Sequence, residues 1–165
     1  MLKGKEVVLT DMLRCRERRA ALQTELIERY HCPVLSFCMN IPGPVKTTKQ
    51  IRQAFEQGEN ELLKQFTAKQ ISVLHTIVFH EATGDELLWA VNYPAEELKE
   101  IATSIEETHP LGRLFDMDII DINGKKLSRG TYRKCLICGC QAQECASSRR
   151  HTIAQMQEAI QLLLQ

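Results

Sequence analysis

Pro42-Gly43-Pro44 restricts the folding of this chain more than any other segment. Its two prolines fix two φ angles and remove two N–H donors, so no strand or helix runs through it and the chain must turn. Immediately upstream, Leu35, Phe37, Met39 and Ile41 alternate with Ser36, Cys38 and Asn40, the period of a half-buried strand. Downstream, Thr47 or Thr48 can cap a helix reaching about Ala68, with Ile51, Phe55, Leu62 and Phe66 on one side. Strand, forced turn and helix therefore follow one another.

The same signals organise the rest of the chain. Thr10 can cap a helix over 11–30, with Asp11 in its first turn and Leu22, Leu26 and Tyr30 recurring inward. Arg14, Arg16, Arg18 and Arg19 form its basic face, either plainly solvated or available to a phosphate-rich ligand. Segments 71–79 and 87–93 alternate on either side of Thr83-Gly84-Asp85, which predicts an antiparallel hairpin, with His75 as a hydrogen-bonded core residue. Pro94 suits the first turn of a helix ending near Thr108. Leu114–Ile122 has strand character and closes at Asn123-Gly124-Lys125, and 152–165 is an amphipathic helix. The expected fold is one α+β domain over 1–165, an antiparallel or mixed sheet with helices packed on it and a Cys-rich segment at 135–151.

A chain of 165 residues can bury a substantial core without staples. Its 21 Lys plus Arg balance 21 Asp plus Glu, which argues against a dedicated nucleic-acid binder. The longest apolar run, Leu87–Val91, is five residues, against the roughly 18 that a membrane span needs. Met1–Glu6 lacks the apolar stretch of a signal peptide, so a cytoplasmic protein without membrane partners is expected. An odd count of seven cysteines then suggests reduced thiols or a metal site rather than a disulfide framework.

Three clusters carry chemistry. In Gly112-Arg113-Leu114-Phe115-Asp116-Met117-Asp118, two carboxylates alternate in an otherwise apolar strand and so face one side, with Asp121 on the other. Paired this way they can converge on Mg²⁺, or they can simply solvate a strand edge. Gly112 would let backbone approach a ligand, and Arg113 offers a planar fork for phosphate, which together suggest phosphoryl or nucleotidyl transfer. Cys135, Cys138, Cys140 and Cys145 fall within eleven residues and precede His151. Cys135, Cys138, Cys145 and His151, with Cys140 as a substitute ligand, could close a tetrahedral Zn²⁺ site, or the thiols could be packing residues, as Cys15, Cys32 and Cys38 are expected to be. Arg149-Arg150 stands at the mouth of the last helix, either an anion site or a solvated turn.

Taken together, Leu35-Ser36-Phe37, Asn40-Ile41-Pro42-Gly43-Pro44-Val45-Lys46, His109-Pro110-Leu111-Gly112-Arg113-Leu114-Phe115-Asp116-Met117-Asp118, Cys135-Leu136-Ile137-Cys138, Cys145 and Arg149-Arg150-His151 resemble the apo-citrate lyase phosphoribosyl-dephospho-CoA transferases. The resemblance covers nearly the whole chain. It implies transfer of a 2′-(5″-phosphoribosyl)-3′-dephospho-CoA group from its triphosphate precursor, 2′-(5″-triphosphoribosyl)-3′-dephospho-CoA, to a serine of the apo acyl carrier protein subunit of citrate lyase, with release of diphosphate. On that resemblance Asp116 and Asp118 would hold Mg²⁺, one of them could accept the serine proton, and Arg113 and Lys46 would bind phosphate. Cys38 and Cys140 depart from the family's pattern, which makes Cys140 the weakest ligand candidate. A nucleotidyltransferase-like fold is a looser implication, since Gly112 stands closer to the Asp pair than the Gly-Ser turn of those enzymes does. The equivalent transferase of malonate decarboxylase and a non-catalytic zinc-bearing module are the alternatives.

The balanced total also conceals two opposed regions. Residues 81–107 carry eight acidic side chains against Lys99, and residues 125–150 carry seven basic ones against Glu144. A basic segment close to the Asp strand could steer both a triphosphate and an acidic carrier.

Overall fold

The computed structural model describes residues 1–165. In chain order the elements are α1 (Leu9–Tyr30), β1 (Val34–Met39), α2 (Lys49–Ala68), β2 (Val73–Glu81), β3 (Gly84–Val91), α3 (Ala95–Thr108), a 3₁₀ turn (Gly112–Leu114), β4 (Phe115–Ile120), α4 (Ala142–Ser148) and α5 (Ile153–Leu163). The strands form one sheet in the order β2-β3-β1-β4, and every neighbouring pair is antiparallel. This is the expected α+β domain. No helix is long and apolar enough to cross a membrane.

The sheet has two unlike faces. Leu35, Phe37, Leu87, Trp89, Val91, Phe115, Met117 and Ile119 pack against α2 and α3 in the main core. Gly58 lets α2 approach β1, because a Cβ there would meet the Phe37 ring at 2.6 Å. On the opposite face, Leu26 from the C-terminal half of α1, with Cys32 just past the helix, covers Val34, Leu88 and Ala90. Beyond that apolar half, the same face presents Ser36, Cys38, Glu86, Asp116 and Asp118. A third cluster of Leu2, Ile41, Val45, Ile51, Leu114 and Ile160 ties α5 and the N-terminus to the Pro-Gly-Pro turn.

Several local expectations are corrected. The central strands β1 and β3 are covered on both faces, so alternation in residues 34–41 signals two different coverings rather than one wet side. Thr10 lies inside α1, which starts two residues earlier, and Asp11 accepts from the Val8 N–H at 3.4 Å. The hairpin turn is Ala82-Thr83, since Gly84 and Asp85 already pair with Glu81 and His80. Pro94 is the cap residue of α3 rather than part of its first turn. Asp121 lies past β4, where its carboxylate accepts from the N–H groups of Asn123 and Lys125 and builds the turn. The Thr48 cap forms as expected, accepting from Ile51, and Thr152 caps α5 by accepting from Gln155.

Candidate active site and metal centre

β4 is an edge strand with Phe115, Met117 and Ile119 locked in the core, so period-two alternation forces Asp116 and Asp118 together onto the opposite face. Their surroundings differ. Asp116 sits across from Cys38 of β1, whose sulfur lies 3.9 Å from its carboxylate. Burial, then the Asp116 charge, pushes the Cys38 thiol up to about 12, so it stays protonated beside the carboxylates. Asp118 faces Ser36 and pairs with Lys126 at 3.2 Å. Burial and the neighbouring Asp116 raise its carboxyl above the usual range, against the pull of Lys126. The paired carboxylates raise Lys126 in turn, although burial opposes this.

The same row continues to β3, where Glu86 lies across Cys38. This nearly buried carboxylate pairs with Arg19 and Arg18 of α1 and accepts from the Cys15 thiol at 3.1 Å. Arg18 also forks onto Glu81 at 2.9 and 3.0 Å and covers the Phe79 ring. Arg18 and Arg19 are therefore fasteners between α1 and the sheet, whereas Arg14 and Arg16 remain on the exposed face. Glu86 lies outside the 87–93 segment that alternation marks, because β3 starts three residues earlier at Gly84, and the position of Lys126 depends on the turn after β4. A carboxylate immediately preceding the apolar run Leu87–Val91 was the available signal.

Gly112 and Arg113 serve a different surface. Gly112 is buried, and a Cβ there would collide with the Glu106 backbone, so the glycine answers to packing against α3 rather than to ligand approach. Arg113 has Arg133, Arg129, Cys135 and Glu106 as its charged neighbours, not the Asp pair. Burial, followed by the repulsion of Arg133, lowers its pKa. Lys46 donates to the Ile41 carbonyl at 2.7 Å, and burial with the nearby Arg16 charge lowers its pKa. Arg149 ends α4 in a left-handed conformation, and the neighbouring Cys138 and Cys145 thiols raise the Arg150 pKa. No hydrogen bond or ion pair joins Lys46, Arg149 or Arg150 to Asp116 or Asp118.

The Cys-rich segment folds into a knuckle. The ligand atoms of Cys135, Cys138, Cys145 and His151 all lie within 4.8 Å of one another, while Cys140 is exposed and outside that set. Gly139 at φ +71 permits the tight reversal, and the Cys135 N–H donates to the Cys140 carbonyl at 2.6 Å. The His151 Nε2 is buried without a hydrogen-bond partner, an orphan that a metal ion would satisfy. Three thiols and one imidazole at these separations match a closed tetrahedral site. The cluster is thus able to hold a metal ion such as zinc.

Paired carboxylates on one sheet face, with clustered cations beside the neighbouring edge, are the candidate site of this α+β protein. Comparison with known proteins narrows the class. The apo-citrate lyase phosphoribosyl-dephospho-CoA transferase family matches residues 7–165. The apo-citrate lyase phosphoribosyl-dephospho-CoA transferase of Citrobacter koseri is 33% identical over 96% of this chain and 88% of its own length. That of Escherichia coli O1:K1 is 31% identical over the same shares. A Streptococcus pyogenes serotype M18 protein named as a probable member is 34% identical over 98% of this chain and 87% of its own length. The chain belongs to the apo-citrate lyase phosphoribosyl-dephospho-CoA transferase family and is a transferase.

Proposed function

We propose that this chain attaches the 2′-(5″-phosphoribosyl)-3′-dephospho-CoA group to a serine of the apo acyl carrier protein subunit of citrate lyase, by nucleotidyltransferase-type chemistry at the Asp pair. The observation that carries this reading is the shared face of Asp116 and Asp118, held by a strand whose alternate residues are fixed in the core. In the reaction the serine oxygen forms a bond to the α-phosphorus of the triphosphate precursor. The bond from that phosphorus to the bridging oxygen of the β-phosphate breaks, and diphosphate leaves with the electron pair. Asp118 is engaged by Lys126, whereas Asp116 has only the weak Cys38 thiol contact, which leaves Asp116 to take the serine proton. Lys126 would place a positive charge beside the phosphates, and Arg19 offsets the charge of Glu86 on the same face.

Asp116 and Asp118 would also hold Mg²⁺, which when bound would neutralise phosphate charge and orient the triphosphate. Cys135, Cys138, Cys145 and His151 would hold Zn²⁺ as a structural ion, since four protein ligands leave no open position. Its role would be to fix the segment that delivers Arg133 to the start of β4, where that side chain donates to the carbonyls of Gly112, Arg113 and Phe115.

Mass spectrometry of the apo carrier, incubated with the chain, the triphosphate precursor and Mg²⁺, tests the reading. The carrier should gain the mass of the prosthetic group, and Asp116→Asn or Asp118→Asn should abolish the gain while the fold is retained. An unmodified carrier, or full modification by both variants, would refute it.

A further inference from the structure

A cavity of about 450 Å³ opens beside the outer edge of β4, lined by Glu106, Glu107, Arg113, Arg129, Arg133 and Lys134. Four cations against two carboxylates leave the lining at +2, a local excess in a chain with no net charge. The members are not equivalent. Arg133 is occupied by three backbone carbonyls and by Glu106, and Arg129 pairs with Glu106 and Glu107 at 3.2 and 3.9 Å. Arg113 makes no ion pair, and its Nε is buried without an acceptor, as is that of Arg129. Lys134 is exposed and also makes no ion pair. Bringing three guanidinium groups together costs energy unless an anion joins them, and unfilled N–H forks match phosphate oxygens in pairs.

Position decides which phosphates these are. Arg113 precedes Asp116 by three residues on the same run of chain, so their backbones are within about 10 Å. The two sites look different ways, however, because Arg113 faces the α3 side while the Asp pair projects from the opposite sheet face. One long ligand with two separate phosphate groups could occupy both, whereas a single compact triphosphate at the Asp pair would not bring its phosphates against Arg113. We infer that this cavity binds the diphosphate of the dephospho-CoA portion of the donor, leaving the Asp pair for the reacting triphosphate. This inference rests on the transferase reading above for the identity of the ligand. The doubly charged diphosphate equals the +2 excess of the lining.

Dephospho-CoA itself, which lacks the reactive triphosphate, is the probe. Calorimetric titration of the full chain with dephospho-CoA, in EDTA, should show binding that Lys134→Ala and Arg113→Gln each weaken at least tenfold. Asp116→Asn should leave that binding unchanged, and pantetheine, which has no phosphate, should not bind. In turnover, Lys134→Ala should raise KM for the triphosphate donor about tenfold with little change in kcat, as expected of a contact made equally in ground and transition states. Lys134 is exposed, so loss of folding does not obscure that variant. Absence of dephospho-CoA binding, or equal affinity in the variants, would overturn the inference. So would a fall in kcat at unchanged KM, which would assign the cavity to the leaving diphosphate instead. If the transferase reading alone is wrong, no variant or parent modifies the carrier while the binding results stand; if the cavity is wrong, transfer proceeds with KM unaffected.

Discussion

Arg133→Met tests how the C-terminal segment holds the active strand. Arg133 reaches back from the Cys knuckle to the carbonyls of Gly112, Arg113 and Phe115, and lies 3.6 Å from Glu106, which is 4% exposed. Glu106 in turn accepts the Met117 N–H at 3.0 Å, the donor that edge strand β4 would otherwise leave bare between the two aspartates. Hydrogen bonds from a charged donor contribute about 1.5–3 kcal/mol, and removing one partner of a buried ion pair costs about 3–5 kcal/mol. These overlap, because one side chain makes both sets of contacts, and Arg129 still pairs with Glu106. A net loss of about 3 kcal/mol follows, which at this chain length lowers Tm by roughly 6–12 °C. The deficit should also depend on pH. Burial already raises the Glu106 carboxyl despite the counter-pull of Arg133, Arg129 and Lys99, and removing Arg133 raises it further. A carboxyl with a raised folded-state pKa favours the folded chain most when protonated, so its contribution falls as pH rises from the unfolded to the folded value. Arg133→Met should therefore lose more stability at pH 7 than near pH 5, and Glu106→Gln in the same chain should recover part of the loss by neutralising the stranded carboxylate. Thermal melts of parent, both single variants and the double variant across that pH range supply the cycle. A Tm within about 2 °C of the parent, or strictly additive losses, would refute the coupling of Arg133 to Glu106.

Three further outcomes are expected. Lys126→Met removes the cation that opposes burial at Asp118, so if transfer needs Asp118 ionised, the acid limb of kcat/KM should move to higher pH; an unmoved limb would detach Asp118 from the titration. Protein purified without added metal should carry about one equivalent of zinc by mass spectrometry, and a chelator or Cys145→Ser should lower Tm and release the 131–151 segment to faster hydrogen exchange; substoichiometric zinc in a protein of unchanged exchange would refute a structural ion. Transfer should slow as ionic strength rises, and Arg149→Glu with Arg150→Glu should raise KM for the carrier; salt-insensitive kinetics would return these arginines to a plain solvated turn.

Much of the site was legible before any coordinate because short-range rules control it. Alternation alone puts Asp116 and Asp118 on one side, since Phe115, Met117 and Ile119 have only one place to go. Spacing brings Cys135, Cys138, Cys145 and His151 within reach of one another, since a knuckle is a local structure. Arg113 and Gly112 show where such rules stop. They adjoin the Asp pair in sequence, yet the 3₁₀ turn sends Arg113 toward Arg129 and Arg133 and buries Gly112 against α3.

The sequence by itself therefore determined the α+β class, the strands and every helix but α4 to within a few residues, the shared face of the aspartates, the thiol–imidazole set and, through its motifs, the family. Only the tertiary structure decided that Glu86 joins the aspartate face across β1, that Lys126 pairs with Asp118, that Arg18 and Arg19 fasten α1 rather than facing water, and that four cations from separate segments line one cavity. The physical reason is range. Capping, periodicity and turn chemistry act within a few residues, whereas strand order and the return of the chain past β4 bring together groups tens of residues apart, and electrostatics then acts between those groups.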